Sequence, residues 1–153
     1  MRESPDADIV AAWSRLVRAE QALLTRVEDD LKHAGFPPLS WYDVLLELDR
    51  APDGRLLQST VQARMLMAQY NLCRLADRLE RDGLLDRIQC PDDGRSNVLA
   101  ITDKGRELRA RMWPAYAAAI ERHVGAQISP DDARHLSRIL DKLISGPVAA
   151  KRA

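Results

Sequence analysis

Four polar side chains in the middle of the chain have the chemistry needed to bind the edges of nucleic-acid bases. Gln69, Tyr70, Asn71 and Arg74 fall in the N-terminal part of a helix predicted over about residues 68–81. The amide groups of Gln and Asn pair with adenine through two hydrogen bonds, and the guanidinium group of Arg pairs with guanine in the same way. These four residues are therefore predicted to contact DNA in the major groove.

The other face of this helix is apolar. Its Leu and Ala residues recur at the spacing of an α-helix, at Leu72, Leu75, Ala76 and Leu79. This spacing predicts a face that packs on a core and holds the helix rigidly. An α-helix about 10–12 Å wide fits the major groove of B-DNA. Gly83 is expected to end the helix, because glycine is preferred just beyond a helix C-terminus.

A predicted β-hairpin supplies a second set of polar residues. Residues 84–89 and 97–101 have the pattern of strands, and the segment between them is rich in turn formers. Arg95 at the tip is predicted to enter the minor groove, where the electrostatic potential is strongly negative. Asp93 can orient that arginine through a charge-assisted hydrogen bond, and Ser96 completes the predicted DNA-binding set.

Long helices must position these two elements. An amphipathic helix is predicted over residues 8–33, and its apolar surface exceeds what one small domain usually covers, which favours packing against a second subunit. A second helix is predicted to start with Ser40 as its N-cap, and a short third helix covers about residues 57–63. After the hairpin, Thr102 is predicted to cap a helix to about residue 126. Ser129 starts a last helix that reaches about residue 144.

The predicted fold is mainly α with a small β-hairpin wing, in the α+β class. It is a winged helix-turn-helix flanked by long dimerisation helices. The predicted units are an N-terminal dimerisation helix in residues 1–35, a DNA-binding domain in residues 36–102, and C-terminal dimerisation helices in residues 103–153.

Composition restricts the class of binder. The chain has 153 residues and a formal net charge of zero, which argues against purely electrostatic binding of nucleic acid. Residues 50–106 carry ten cations and eight acids, a local net charge of +2. No signal peptide, membrane helix, metal-binding motif or catalytic motif stands out. We therefore expect a cytoplasmic protein that is not an enzyme and needs no cofactor or metal.

Three motifs together resemble the MarR family of bacterial transcription regulators. They are Gly-Leu-Leu-Asp-Arg at residues 83–87, Asp-Gly-Arg at residues 93–95, and Ile-Thr-Asp-Lys-Gly at residues 101–105. The family has leucine where this chain has Ile101. Residues 74–80 resemble the end of the family's recognition helix. The start of that helix differs, because serines common in the family are absent there, and Tyr70 is a candidate to bond a phosphate instead.

The resemblance implies a triangular homodimer that grips a pseudo-palindromic operator. Its N- and C-terminal helices would form the dimer base. It also implies a repressor released by a small aromatic, phenolic or anionic ligand bound between that base and the winged helix. Trp13, Trp41 and Arg15 are candidates to contact the ligand. The alternative interpretation is that the aromatic residues fill the core and that Arg15 lies on a solvated face.

The cysteines and the identity of the macromolecular partner each allow two interpretations of the sequence. Cys73 and Cys90 are either ordinary small residues or sites where oxidation would disturb DNA binding. The whole chain is either a regulator that binds duplex DNA or a winged-helix module that binds a protein instead, since fold alone does not decide function. The arginine-bearing hairpin favours DNA, whereas the near-neutral charge favours the protein partner.

Overall fold

The structure, a computed structural model, describes residues 4–66, 71–89 and 97–147. These residues form helices α1 (Ala7–His33), α2 (Leu39–Arg50), α3 (Gln58–Arg64), α4 (Leu72–Arg81), α5 (Asp103–Ile120) and α6 (Pro130–Ile144), and strands β1 (Arg55–Leu57), β2 (Leu85–Gln89) and β3 (Asn97–Ile101). A π-helical segment, Glu121–Gly125, continues α5. The mainly helical fold with a small antiparallel sheet confirms the predicted fold class.

The core lies within the helix-turn-helix and its sheet. It is built from side chains of α2 to β3, from Val27 and Leu31 of α1, and from Leu108, Met112 and Ala119 of α5. Helix α1 enters the core only near its end, where Val27 and Leu31 are buried. Its first turns leave Ile9, Val10 and Trp13 exposed, so the apolar surface predicted there is real and is uncovered within one chain.

Helix α2 starts one residue earlier than predicted and has a different cap. The N-cap is Pro38, which offers no side-chain hydrogen bond. Instead both carboxylate oxygens of Glu28, on α1, accept from the backbone N–H of Leu39 at 3.1 Å. The prediction of Ser40 as N-cap was wrong because the cap comes from another helix, and Ser40 is itself helical and buried.

Helix α4 starts later than predicted, at Leu72 rather than near residue 68. Asn71 is its N-cap, and the Asn71 side chain accepts from the backbone N–H of Arg74. This cap satisfies an N–H group that has no partner inside the helix. Gly83 follows the helix with a φ of +75°, as expected for the glycine predicted to end it.

The hairpin is part of a three-stranded sheet, which the sequence did not reveal. β3 lies in the centre, with β2 on one side and β1 on the other, both antiparallel to it. In β1, Leu56 pairs with Leu99. β3 has its predicted bounds, and β2 is one residue shorter than predicted.

The C-terminal helices begin where the sequence indicated. Thr102 caps α5 by accepting from the backbone N–H of Gly105. Ser129 and Asp132 form a reciprocal capping box at the start of α6. Hydrogen bonds from the backbone and side chain of Ser129 lower the pKa of the Asp132 carboxyl. The helix predicted to reach about residue 126 is α-helical only to Ile120. The π-helical segment follows from Glu121.

Candidate nucleic-acid interface

The exposed face of α4 carries a stripe of arginines. Arg74, Arg78 and Arg81 are spaced i, i+4 and i+7, so they lie on one side of the helix, and all three are exposed. Leu72, Leu75, Ala76 and Leu79 are buried on the other side, as the sequence predicted. No hydrogen bond or ion pair joins these arginine side chains to the described part of the chain.

The acids of the same helix are engaged by Arg87 of strand β2. Nη1 of Arg87 donates to Oδ1 of Asp77 at 2.7 Å, and Nη2 donates to the carbonyl oxygen of Cys73 at 3.1 Å. The backbone N–H of Arg87 donates to Oε2 of Glu80 at 2.9 Å. One residue of the hairpin therefore neutralises Asp77 and ties β2 along two turns of α4.

A side-chain contact ties helix α3 to the first turn of α4. Nε2 of Gln58 donates to Sγ of Cys73 at 3.1 Å. Cys73 is exposed on α4, so the contact lies at the edge of the helix-turn-helix. The first turn of α4 is thus held from α3 on one side and from β2 on the other.

Five predicted DNA-binding residues lie outside the described residues. They are Gln69, Tyr70, Asp93, Arg95 and Ser96. The described hairpin ends at the pairing of Gln89 with Asn97. Of the remaining two, Arg74 lies on the exposed arginine stripe, and Asn71 lies at the N-cap immediately before it. Oδ1 of Asn71 accepts the capping hydrogen bond, whereas its amide nitrogen takes no part in the cap.

The other end of α4 is clamped to the start of α5. The hydroxyl of Thr102 donates to the carbonyl oxygen of Gly83 at 2.6 Å. Nζ of Lys104 donates to the carbonyl oxygen of Asp82 at 2.7 Å. Gly105 lies so close to the Leu84 carbonyl oxygen that an added Cβ would overlap it. These contacts explain why the chain has Gly-Leu at residues 83–84 and Thr-Asp-Lys-Gly at residues 102–105.

A concave region lies where α1, α2 and α5 meet. Three adjoining spaces of about 200, 320 and 340 Å³ share Tyr116 of α5 in their walls. Tyr116 packs edge-on against Tyr42 with ring centroids 5.1 Å apart and against Trp113 at 5.9 Å. Arg50 and Arg64 line the space between α2 and α3. Burial is the largest cause that raises the pKa of the Tyr116 hydroxyl, followed by the charge of Asp43.

The predicted ligand residues are not brought together in that region. Trp41 lines a separate groove of about 780 Å³ with Phe36, Lys104 and Arg111. Trp13 is 65% exposed on the first half of α1. Neither Trp13 nor Arg15 lines the groove that contains Trp41.

The comparison with known proteins identifies the family. A sequence model for the MarR family matches residues 34–96. The chain is 35% identical over 113 residues to YkoM of Bacillus subtilis, an uncharacterised HTH-type transcriptional regulator, and the match covers 74% of this chain and 71% of YkoM. This chain belongs to the MarR family. It is a winged-helix DNA-binding transcription regulator, and the predicted family is confirmed; such regulators are not enzymes.

Solved structures of other bacterial proteins share the fold. One is Sco3205 of Streptomyces coelicolor in complex with DNA, with a TM-score of 0.80, 24% identity, and coverage of 95% of this chain and 91% of that chain. Another is BpsR of Bordetella bronchiseptica, whose DNA binding is regulated by 6-hydroxynicotinic acid. BpsR has a TM-score of 0.74 and 18% identity, with coverage of 95% of this chain and 98% of that chain.

For this MarR protein, sequence reasoning missed several residues of the interface. Arg87 was noted only as part of a motif, although it is the residue that joins the hairpin to α4. Its pairing with Asp77 is suggested only by opposite charges ten residues apart, a signal many unrelated pairs share. Gln58 carried no visible signal. In the described residues, no helix is long and apolar enough to cross a membrane, and no group of three potential metal ligands occurs.

Proposed function

We propose that this MarR protein is a homodimeric repressor that binds a pseudo-palindromic operator. The observation that carries the proposal is the stripe formed by Arg74, Arg78 and Arg81 on a rigidly packed α4. The nearest acids of that helix are already bonded to Arg87. Guanidinium groups along one helix face, with no partner among the described residues, fit guanine edges and phosphates of a major groove.

We assign separate DNA contacts to the wing and to the N-terminus of α4. Arg95 at the wing tip inserts in the minor groove, oriented by Asp93, with Ser96 beside it. Gln69, Tyr70 and Asn71 precede the arginine stripe and contact base edges or phosphates at the start of α4. These roles are proposals for residues that, apart from Asn71, lie outside the described part of the chain.

The homodimer is proposed from apolar surface that one chain leaves uncovered. Helix α6 has no buried residue. Its apolar residues nonetheless share one face, at Ala133, Leu136, Ile139, Leu140, Leu143 and Ile144. The first turns of α1 add Ile9, Val10 and Trp13, all exposed. A second copy of the chain would bury both surfaces, because exposed apolar patches of this kind mark protein interfaces.

The effector is proposed to be a small aromatic anion or phenol. The concave region around Tyr116 has aromatic walls from Tyr42 and Trp113. Arg50 and Arg64 line it together with the acids Asp43 and Glu47, and Arg50 pairs with Glu47, so Arg64 is the cation assigned to the ligand. It adjoins α1 and the helix-turn-helix, so a ligand there would alter how the winged helix is held relative to the dimer base. The regulation of BpsR by 6-hydroxynicotinic acid supports this ligand class. Contacts from Trp13, Trp41 and Arg15 stay predictions.

Footprinting on a selected duplex tests the proposal. A duplex library with a randomised centre is enriched on the full-length protein, and the winner is probed with hydroxyl radicals. A dimer that places two recognition helices on one face of DNA protects two sites one helical turn apart, about 10–10.5 base pairs. A single protected site would overturn the dimeric docking.

The effector is tested on the same complex. Titration with 6-hydroxynicotinate and with benzoate should release the duplex from the wild-type protein. The variant Arg64→Met should require more ligand, whereas Arg134→Met, an exposed arginine of α6, should respond as wild type. Equal response of both variants would contradict this ligand site, and unchanged duplex binding at saturating ligand would contradict release.

A further inference from the structure

We propose that Arg87 is a positioning residue that sets the orientation of the wing relative to the recognition helix α4. Its contacts on α4 run along Cys73, Asp77 and Glu80. These positions are spaced i, i+4 and i+7, so they form a stripe along the helix. The inference rests on the proposed DNA binding, because the orientation matters only for docking on a duplex.

The stripe bound by Arg87 lies next to the stripe that faces the proposed duplex. Each of its residues precedes one of Arg74, Arg78 and Arg81 along the chain, a rotation of about 100° around the helix. Strand β2 is therefore fixed along the flank of the DNA-facing surface. Along the sequence, the same strand is followed by Arg95, the residue proposed to contact the minor groove. A change in the Arg87 contacts would move the wing contact relative to the helix contact.

The chemistry of arginine fits this role. Its planar guanidinium group donates to the Asp77 carboxylate and to the Cys73 carbonyl at the same time. A lysine ammonium group is not planar, so it is less able to hold both acceptors in a fixed geometry. Together with the backbone N–H of Arg87, three bonds then define how β2 lies on α4. One bond alone would leave rotation about it free.

The exposure of Asp77 limits how much the Arg87–Asp77 pair adds to the stability of the fold. The Arg87 side chain is 23% exposed, whereas that of Asp77 is 53% exposed. Half-exposed ion pairs contribute little to folding. In addition, Nε of Arg87 is buried without a hydrogen-bond partner among the described residues, and a buried unpaired donor is destabilising. The three bonds of Arg87 therefore act mainly as a geometric constraint on β2.

A direct contact between Arg87 and a DNA phosphate is the competing explanation. The two explanations differ in the effect of Asp77→Asn. If Arg87 binds phosphate, removing the Asp77 charge frees the arginine and reduces repulsion, so binding tightens. If Arg87 positions the wing, Asp77→Asn releases the guanidinium group and weakens specific binding. Asp86→Asn is the matched control, since Asp86 is an exposed carboxylate on the same strand with no hydrogen bond or ion pair to the described residues.

The experiment measures the dissociation constant for two duplexes by fluorescence anisotropy. One is the duplex enriched by selection on the wild-type protein, and the other is a random duplex of equal length. We expect Arg87→Met to weaken binding of the enriched duplex about tenfold or more, and Asp77→Asn about fivefold. Binding of the random duplex should change less than about threefold, because it depends on charge rather than on geometry. Arg87→Lys should fall between wild type and Arg87→Met.

The double variant Arg87→Met/Asp77→Asn separates coupling from additive effects. It should bind the enriched duplex no more weakly than Arg87→Met alone, because both changes break the same contact. Circular dichroism confirms that each variant is folded, and if Arg87→Met fails to fold, Asp77→Asn and Arg87→Lys carry the test. Tighter binding by Asp77→Asn, or equal losses on both duplexes, would overturn the inference. Failure of selection to enrich any duplex would instead count against the proposed function.

Discussion

Gly105 of α5 lies against the backbone carbonyl oxygen of Leu84, so closely that any side chain at this position would overlap it. The contact joins the start of α5 to the turn that follows α4. The Leu84 carbonyl also accepts from the backbone N–H of Thr102 at 3.1 Å. Helix α4 and the helix leading to the proposed dimer base are therefore connected through backbone contacts that only glycine permits.

Substitution of that glycine should destabilise the protein. We expect Gly105→Ala to lower the free energy of unfolding by about 1–3 kcal/mol, because the methyl group must displace backbone. Helix propensity alone would predict a gain of about 1 kcal/mol for the same change. Urea unfolding distinguishes the two signs. Glu107→Ala, at an exposed position of the same helix, is the control and should change stability little. A Gly105→Ala variant as stable as wild type would contradict the close approach.

Asp49 should hold α2 to α5. Its two carboxylate oxygens each accept from an arginine at 2.5 Å, Oδ1 from Arg106 and Oδ2 from Arg109. We expect Asp49→Asn to cost about 1–2 kcal/mol of unfolding free energy, allowing for partial exposure of the pairs. Urea unfolding at low and high salt measures the loss. Asp53→Asn, in the exposed turn after α2, should leave stability unchanged. Equal stability of the two variants would rule out this role for Asp49.

The Tyr116 hydroxyl should make stability depend on alkaline pH. Burial and the Asp43 charge raise its pKa above the ordinary value of 10.0. The unfolded chain therefore ionises this tyrosine before the folded chain does. The resulting stabilisation is present below pH 10 and is lost as the pH rises through the higher folded pKa. Tyr116→Phe should lose less stability over this pH range than wild type, as monitored by circular dichroism. Parallel pH profiles would contradict the raised pKa.

The apolar face of α6 should govern the oligomeric state. Light scattering should give the wild-type protein twice the 17.2 kDa mass of one chain. The double variant Leu136→Glu/Leu143→Glu places two charges on the exposed apolar face and should shift the mass toward that of a monomer. Lys142→Glu, on the polar face, should remain dimeric. A monomeric wild type would remove the basis for a palindromic operator.

The sequence predicted the elements whose signals are local. Thr102, Gly83 and Ser129 marked helix ends correctly, because the residue that stops or starts each helix lies within three residues of the end. The bounds of β3 followed in full from the turn formers before it and from Thr102 after it. Such signals depend only on neighbouring residues, so one sequence is enough to recognise them.

The missed features depend on distant parts of the chain. β1 has only three residues, too few to show a period, and it forms because Leu56 pairs with Leu99 across the sheet. The cap of α2 comes from Glu28, eleven residues upstream of Leu39. The clamp by Arg87 needs the folded positions of β2 and α4 together. For the DNA interface, residue types indicated Arg74, whereas the assignment of Arg87 required the geometry.

Operator recognition is tested most directly by equilibrium binding of the wild-type protein to a duplex enriched by selection, at two salt concentrations. We predict a dissociation constant of about 10⁻⁸ to 10⁻¹¹ M that rises with salt, as expected when cations replace counterions at phosphates. We also expect weaker binding for Arg74→Ala and for Arg95→Ala, with Arg134→Ala on α6 unchanged. Failure to enrich any duplex at low salt would contradict operator recognition by this protein.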